Sequence, residues 1–359
     1  MRNHMKVTMP ALTKLVDVAK AAGVSRGTAS NVFAHPELVR PELRERVEAA
    51  ARELDYSGPD PKGRLLRAGK FNAIGVVPAG AYGLSSAFGD LYMRDFMLGV
   101  ARVCDEQGSS LTLVSGLEDD RASGIRNALV DGFILHNIDD AAFIEPARRR
   151  KLPFVVVDIE GGADASSVRI DDRAGARLAA EHLVALGHRR FAIMSVMREK
   201  RASPIFHGPG EADRRLLTGF PPDRARLSGY AEVFAEAGVS IDDVPIIEAR
   251  VRNVEDVEMF LDRVPEATAV LTTADSLALS LLDEARRRSI SVPRDLSVVG
   301  FDDIPKAALA DPPLTTIVQP IVEKGRVAAG LLFEGGPARH VVLPVHLVVR
   351  GSTAPPRAR

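Results

Sequence analysis

Two sets of residues have types and spacings that could do chemistry. The first lies in LVDVAKAAGVSRGTASNVF, residues 15–33, where Ser25 precedes a short apolar periodicity formed by Ala29, Val32 and Phe33. Ser25 is a good helix N-cap, and the helix it opens turns Arg26, Gly27, Ser30 and Asn31 outward. That face either meets solvent or lies against the base edges of a DNA groove. The second set follows short apolar runs: Asp158 after PFVVV, Asp171 after VRI, Asp275 after VLTTA, and Phe301 after SVVG. Residues at the carboxyl ends of strands in open α/β sheets line ligand crevices, although an Asp there also serves as a cap for the next helix.

Enzyme chemistry finds little support. VVPAGAYGLSSAFG has the wrong glycine spacing for a phosphate loop, and there is no GxSxG elbow. His182 and His188 read as surface or capping residues, and with one cysteine neither a metal cluster nor a Cys/His pair is indicated. No catalytic residue, metal or cofactor is expected. Cys104 sits in the apolar stripe of a helix, and one cysteine allows no intramolecular disulfide, which fits a cytoplasmic protein. No apolar run is long enough for a signal peptide or membrane span.

The elements that position these residues fall into two groups. Leu15, Val18, Ala19 and Ala22 give a first helix that stops at Gly23, Ser25 opens the second, and PELRERVEAAARELDY gives a third with Pro41 at its first position. This is the helix-turn-helix pattern, and the fold class is an all-α head followed by an α/β body. Residues 1–70 hold 13 Lys and Arg against 8 Asp and Glu, while the rest carries 34 against 40. A basic head on an acidic body either meets a polyanion or is an ordinary solvated surface. From Phe71 onward, buried strands alternate with amphipathic helices and the pattern restarts after SSVRIDD, so the body consists of two doubly wound lobes with parallel sheets. The expected domains are a disordered arm (1–11), the helix-turn-helix domain (12–57), a Pro- and Gly-rich linker (58–70) and the two-lobed body (71–359).

DVAKAAGVSRGTASNVF, LRERVEAAARELDY, NAIGVVP, HLVALGHRR, RLSGY, VPRDLSVVGFDD, PPLTTIVQP and VVRGSTA occur in order across nearly the whole chain. Together they resemble the LacI/GalR family of bacterial transcription regulators. The resemblance implies that Arg26, Gly27 and Asn31 fall where base edges are read, and Ser25, Thr28 and Ser30 where phosphates are held. It also implies a linker that folds as a hinge helix on DNA, with Arg64 preserved and Leu66 as the minor-groove wedge. Three features depart from the family pattern: Gly27 has no side chain to read a base, Asn31 replaces a frequent arginine, and Arg40 replaces a serine cap. The body is implied to be of the periplasmic binding protein type I kind, with the chain crossing between lobes three times and a small molecule in the cleft.

The family places Asp275 and Arg226 at the effector, a pairing suited to vicinal hydroxyls or a carboxylate. Tyr82 and Phe88 either stack on the ligand or pack within a lobe, and Asp302 and Asp303 serve the crossover. Residues 197–225 form a long charged loop, either a cover for the cleft or a solvated excursion. The function these features imply is an effector-controlled repressor that binds double-stranded operator DNA as a homodimer, with a carbohydrate the expected effector and no membrane partner.

Overall fold

The computed structural model describes residues 13–58, 69–78, 83–115, 121–138, 141–197, 204–211 and 220–357. The chain divides into two compact units between Phe71 and Asn72.

In the first unit, α1 (Leu15–Ala21) and α2 (Arg26–Ala34) are joined at Gly23, whose φ of 61° is the left-handed conformation of a helix C-cap. The amide of Val24 donates to the carbonyl of Ala19 and that of Gly23 to Lys20, closing the turn. Ser25 caps α2 as expected, its Oγ accepting from the amide of Thr28 at 3.0 Å. The third helix, α3 (Pro41–Glu53), has no side-chain cap from Arg40. Val18, Ala19, Ala22, Ala29, Val32, Val47, Ala50 and Ala51 form a core of small residues that lets the three axes approach closely. Arg46 bridges α3 to the turn by donating to the carbonyl of Ala22 at 2.7 Å.

The second unit has two lobes. In the N-lobe, a parallel sheet runs in the order β12-β5-β4-β3-β1-β2, built from β1 (Ala73–Pro78), β2 (Ser110–Leu113), β3 (Gly132–His136), β4 (Phe154–Val157), β5 (Ser166–Ile170) and β12 (His340–Leu343). Its described helices are α4 (Gly83–Gly89), α5 (Leu91–Glu106), α6 (Arg121–Asn127), α7 (Ala141–Arg149) and α13 (Ile321–Glu334). In the C-lobe the order is β13-β11-β10-β9-β6-β8-β7, with β6 (Phe191–Val196), β7 (Ile205–Phe206), β8 (Ile246–Ala249), β9 (Ala269–Thr272), β10 (Ser297–Asp302), β11 (Thr315–Val318) and β13 (His346–Val348). Only β7 and β13, at its edges, run antiparallel to their neighbours. Its described helices are α8 (Asp172–Ala185), α9 (Pro221–Glu236), α10 (Val254–Arg263), α11 (Asp275–Arg287) and α12 (Pro305–Leu309). The central strands are buried along their whole length, as parallel strands covered on both faces must be. The chain passes between lobes after β5, after β11 and after β12, so three crossovers link them.

Two expectations need correction. The long segment is not loop to residue 225: α9 begins at Pro221, with proline in its first turn, and Ile205–Phe206 joins the sheet as β7. Residues 198–203 and 212–219 lie outside the described residues. Nor are His182 and His188 merely surface or capping groups. His188 is buried, with Nε2 donating to the carbonyl of Ala354 at 2.9 Å and Nδ1 facing Thr268 Oγ1 at 2.9 Å. His182 Nε2 meets Thr353 Oγ1 at 2.9 Å, so both imidazoles hold the segment that follows β13. Burial lowers both pKa values by disfavouring the charged ring.

A histidine whose folded-state pKa is depressed adds stability above its unfolded pKa and loses it as pH falls through the folded value. Urea midpoints are therefore expected to decline below about pH 6.5, where unfolded imidazoles take up protons. A His188→Asn variant is expected to start lower and decline less steeply over the same pH series.

Helices α5 and α13 meet through two glycines. A Cβ on Gly99 would lie 1.9 Å from the carbonyl oxygen of Val322, and one on Gly325 would lie 2.1 Å from that of Phe96. Backbone cannot yield as a side-chain tip can, so Gly325→Ala is expected to cost about 1–3 kcal/mol, read as a lower urea midpoint with unchanged slope.

Candidate functional site

The exposed side of α2 carries Arg26, Gly27 and Asn31, with Ser25 exposed at its cap and Thr28 and Ser30 half-buried; Ala29 and Val32 face inward. Arg26 has no acidic partner among the described residues, and no acidic residue occupies the first turn of this helix. A helix N-terminus with free amides, two hydroxyls and a guanidinium suits an anionic backbone and the base edges beside it. Gly27 adds close approach and no side chain. Arg64 and Leu66 lie outside the described residues.

In the body, the carboxyl ends of β4, β5, β10 and β11 meet at the crossovers and bring a polar cluster together. Arg226, on the second turn of α9, is 9% exposed. Its Nε donates to Asp172 Oδ1 at 2.8 Å and its Nη1 to the carbonyl of Thr273 at 2.5 Å, while its guanidinium carbon stands 3.7 Å over the ring of Phe301. Burial works against its charge, but the carboxylates of Asp172, Asp302 and Asp223 more than offset this and hold it cationic. Burial raises the pKa of Asp172, with Arg226 opposing.

Asp158 accepts from Lys324 Nζ at 2.5 Å and from the Tyr92 hydroxyl at 3.0 Å, and His136 Nε2 lies 3.6 Å from it. Burial pushes its pKa upward, yet Lys324 and His136 outweigh this and keep it ionised. Asp302, with φ at 128°, is 7% exposed and accepts from Gln319 Nε2 at 2.6 Å through Oδ1. Burial raises its pKa strongly, and Arg226 opposes.

Four of the predicted effector residues, Asp171, Asp275, Phe88 and Phe301, are held otherwise than as open cleft groups, and Tyr82 lies outside the described residues. Asp171 is exposed and caps α8, accepting from the amide of Ala174 at 2.9 Å; the carboxylate that meets Arg226 belongs to the next residue, Asp172. Asp275 is fully buried inside the C-lobe, accepting from Thr316 Oγ1 at 2.6 Å and from the amide of Ile304 at 3.0 Å. Burial pushes its pKa up to about 7. It holds β10, β11 and the start of α12 together, and the acidic group beside Arg226 at the strand ends is Asp302. Phe88 is 75% exposed at the end of α4, and Tyr82 lies outside the described residues. Phe301 has no exposed surface and acts as a platform under Arg226.

Sequence reasoning missed Tyr92, Asp172, Gln319 and Lys324. A lysine within the otherwise apolar IVEKGRVAAGLL was the one available signal, since lysine is rarely buried unless paired. Among the described residues, no group of three or more His, Cys, Asp or Glu is arranged to hold a metal ion, and no helix is long and apolar enough to cross a membrane.

Residues 14–58 match the lacI family of bacterial regulatory proteins, and residues 180–353 match the periplasmic binding protein-like domain. Over 361 residues the chain is 37% identical to the HTH-type transcriptional regulator Rv3575c of Mycobacterium tuberculosis, covering 96% of this chain and 97% of the relative. The chain belongs to the LacI family of bacterial transcriptional regulators. Like the relatives it matches, this LacI-family chain is a transcriptional regulator and not an enzyme. Among solved structures, the transcriptional regulator CelR in complex with cellobiose is 29% identical with a TM-score of 0.65, covering 95% of this chain and 99% of that one. The lac repressor dimer bound to operator and the anti-inducer ONPF is 25% identical with a TM-score of 0.72, covering 96% and 100%.

The Arg226–Asp172 pair gives a direct test of how the LacI-type body is held. Replacing Asp172 with Ala leaves a buried guanidinium without its carboxylate, and a loss of about 3–5 kcal/mol is expected in urea unfolding.

Proposed function

We propose that this LacI-family regulator is a repressor that binds a pseudo-palindromic operator as a homodimer, with a carbohydrate in the inter-lobe cleft changing its affinity for DNA. The observation that carries the reading is α2: a nine-residue helix buried on one side and presenting Arg26, Gly27 and Asn31 on the other. Arg26 is assigned to bidentate contact with guanine and Asn31 to adenine, while Ser25, Thr28 and Ser30 hold phosphates. Two-fold symmetry of a dimer would be matched by two half-sites. In the linker, Arg64 and Leu66 are assigned to the minor groove, with a larger ordering cost because Gly63 stands within it.

At the cleft, Arg226 and Asp302 are the pair assigned to the effector. Among the hydrogen bonds of the described residues, none engages Nη2 of Arg226 or Oδ2 of Asp302. One forked donor beside one acceptor suits vicinal hydroxyls. A bound sugar would favour one lobe arrangement over the other, and only its differential affinity for the two could shift DNA binding. Support comes from CelR, whose solved structure holds cellobiose, and from the lac repressor dimer, which was solved on its operator.

Selection of random duplex DNA by the full chain at near-physiological salt is expected to enrich a two-fold symmetric motif. Arg26→Ala is expected to flatten the preference at one position in each half-site, worth about 1–3 kcal/mol there. A chain lacking residues 1–70 that still bound the motif would overturn the reading.

A further inference from the structure

Lys324 lies on α13 with 1% of its surface exposed, and a buried ammonium needs three acceptors. It has them: Asp158 Oδ1 at 2.5 Å, Gln319 Oε1 at 2.5 Å and the Tyr92 hydroxyl at 3.1 Å. Each acceptor comes from a different place. Asp158 follows β4, Tyr92 lies on α5, and Gln319 occupies the second crossover between β11 and α13. Tyr92 in turn donates to the second oxygen of Asp158 at 3.0 Å, which closes a ring of three groups in the N-lobe.

Gln319 gives the ring its outlet. Its Oε1 accepts from Lys324 while its Nε2 donates to Asp302 Oδ1 at 2.6 Å, at the end of a C-lobe strand. An amide placed so cannot rotate without losing both bonds, because its donor and acceptor ends would exchange. The orientation of Asp302 in one lobe is thereby fixed to that of Lys324 in the other. The glycine contact of α5 with α13 passes the position of Lys324 on to a helix that cannot slide past it.

We infer that Lys324 is a positioning residue that acts through Gln319 and couples the cleft carboxylate Asp302 to the orientation of the N-lobe, so that it sets the lobe equilibrium on which operator binding depends. The inference rests on the reading of the chain as an operator-binding regulator. An effector hydroxyl donating to the open Oδ2 of Asp302 would act on the same carboxylate that Gln319 holds through Oδ1.

The test needs no effector. Lys324→Met alone leaves Asp158 buried without its cation and is expected to lower the urea midpoint. Pairing it with Asp158→Asn removes that charge and is expected to restore most of the midpoint. Gln319→Leu breaks the connection while leaving the Lys324–Asp158 pair in place. Affinity for the duplex recovered by selection is measured by fluorescence anisotropy at one salt concentration, with no small molecule added. Both the double variant and Gln319→Leu are expected to differ from the wild-type chain by about fivefold or more, the range of ordinary coupling between sites.

If either of these, folded to wild-type stability, binds within about twofold of the wild-type chain, the coupling is overturned and Lys324 only fills the core. If the wild-type chain itself enriches no duplex, the operator reading fails, and this inference fails with it.

Discussion

A guanidinium taken out of water at the junction of two lobes must be met by charge and hydrogen-bond acceptors, or the fold cannot bear it. Arg226 is met by Asp172 at the first residue of α8, by the carbonyl of Thr273 after β9, and by the face of Phe301 near the end of β10. Three separate segments of the C-lobe are thus registered against one planar group. The arrangement engages Nε and Nη1, and the planarity of the group then fixes the direction of the donors that remain. Specific recognition in a cleft depends on such pre-setting, because a side chain that must be ordered at binding loses part of the affinity to entropy.

Close helix contacts make each lobe a rigid piece. In the N-lobe, Gly99 and Gly325 let the backbones of α5 and α13 touch; in the C-lobe, a Cβ on Gly229 would lie 2.5 Å from the carbonyl of Arg173, bringing α9 against α8 in the same way. What is left to differ between states is the set of crossovers, and these carry buried polar groups in place of interdigitated hydrocarbon. Polar pairs have discrete alternative partners, whereas packed apolar surfaces lose contact in any other position. A hinged pair of rigid lobes with polar crossovers is therefore suited to two distinct arrangements.

The head was legible because its determinants are local. The periodicity of Val18, Ala19 and Ala22, the left-handed Gly23 and the cap at Ser25 all act within a few residues, and the helices begin and end where those signals place them. The alternation of buried strands and helices was equally plain in the body. The cleft was legible only by position. That an Asp follows a strand does not say whether it caps the helix, as Asp171 does, or stands one residue on and turns inward, as Asp172 does. Asp275 is enclosed because Gly300, far along the chain, leaves room for its Oδ1, where a Cβ would lie 2.1 Å away, and because Thr316 reaches it. Lys324 meets an acceptor 166 residues away. Such pairings are made by topology, which periodicity and spacing do not contain.

The final segment of the chain supplies an edge to each sheet, β12 in one lobe and β13 in the other. It then threads Ser352 beneath β10, where Oγ donates to the carbonyl of Val298 and accepts from the amide of Thr315. Neither lobe can be completed until these residues have left the ribosome, whereas the described core of the three head helices lies within residues that emerge earlier. During synthesis the regulator would therefore carry a finished helix-turn-helix head on a body whose two sheets still lack an edge strand each.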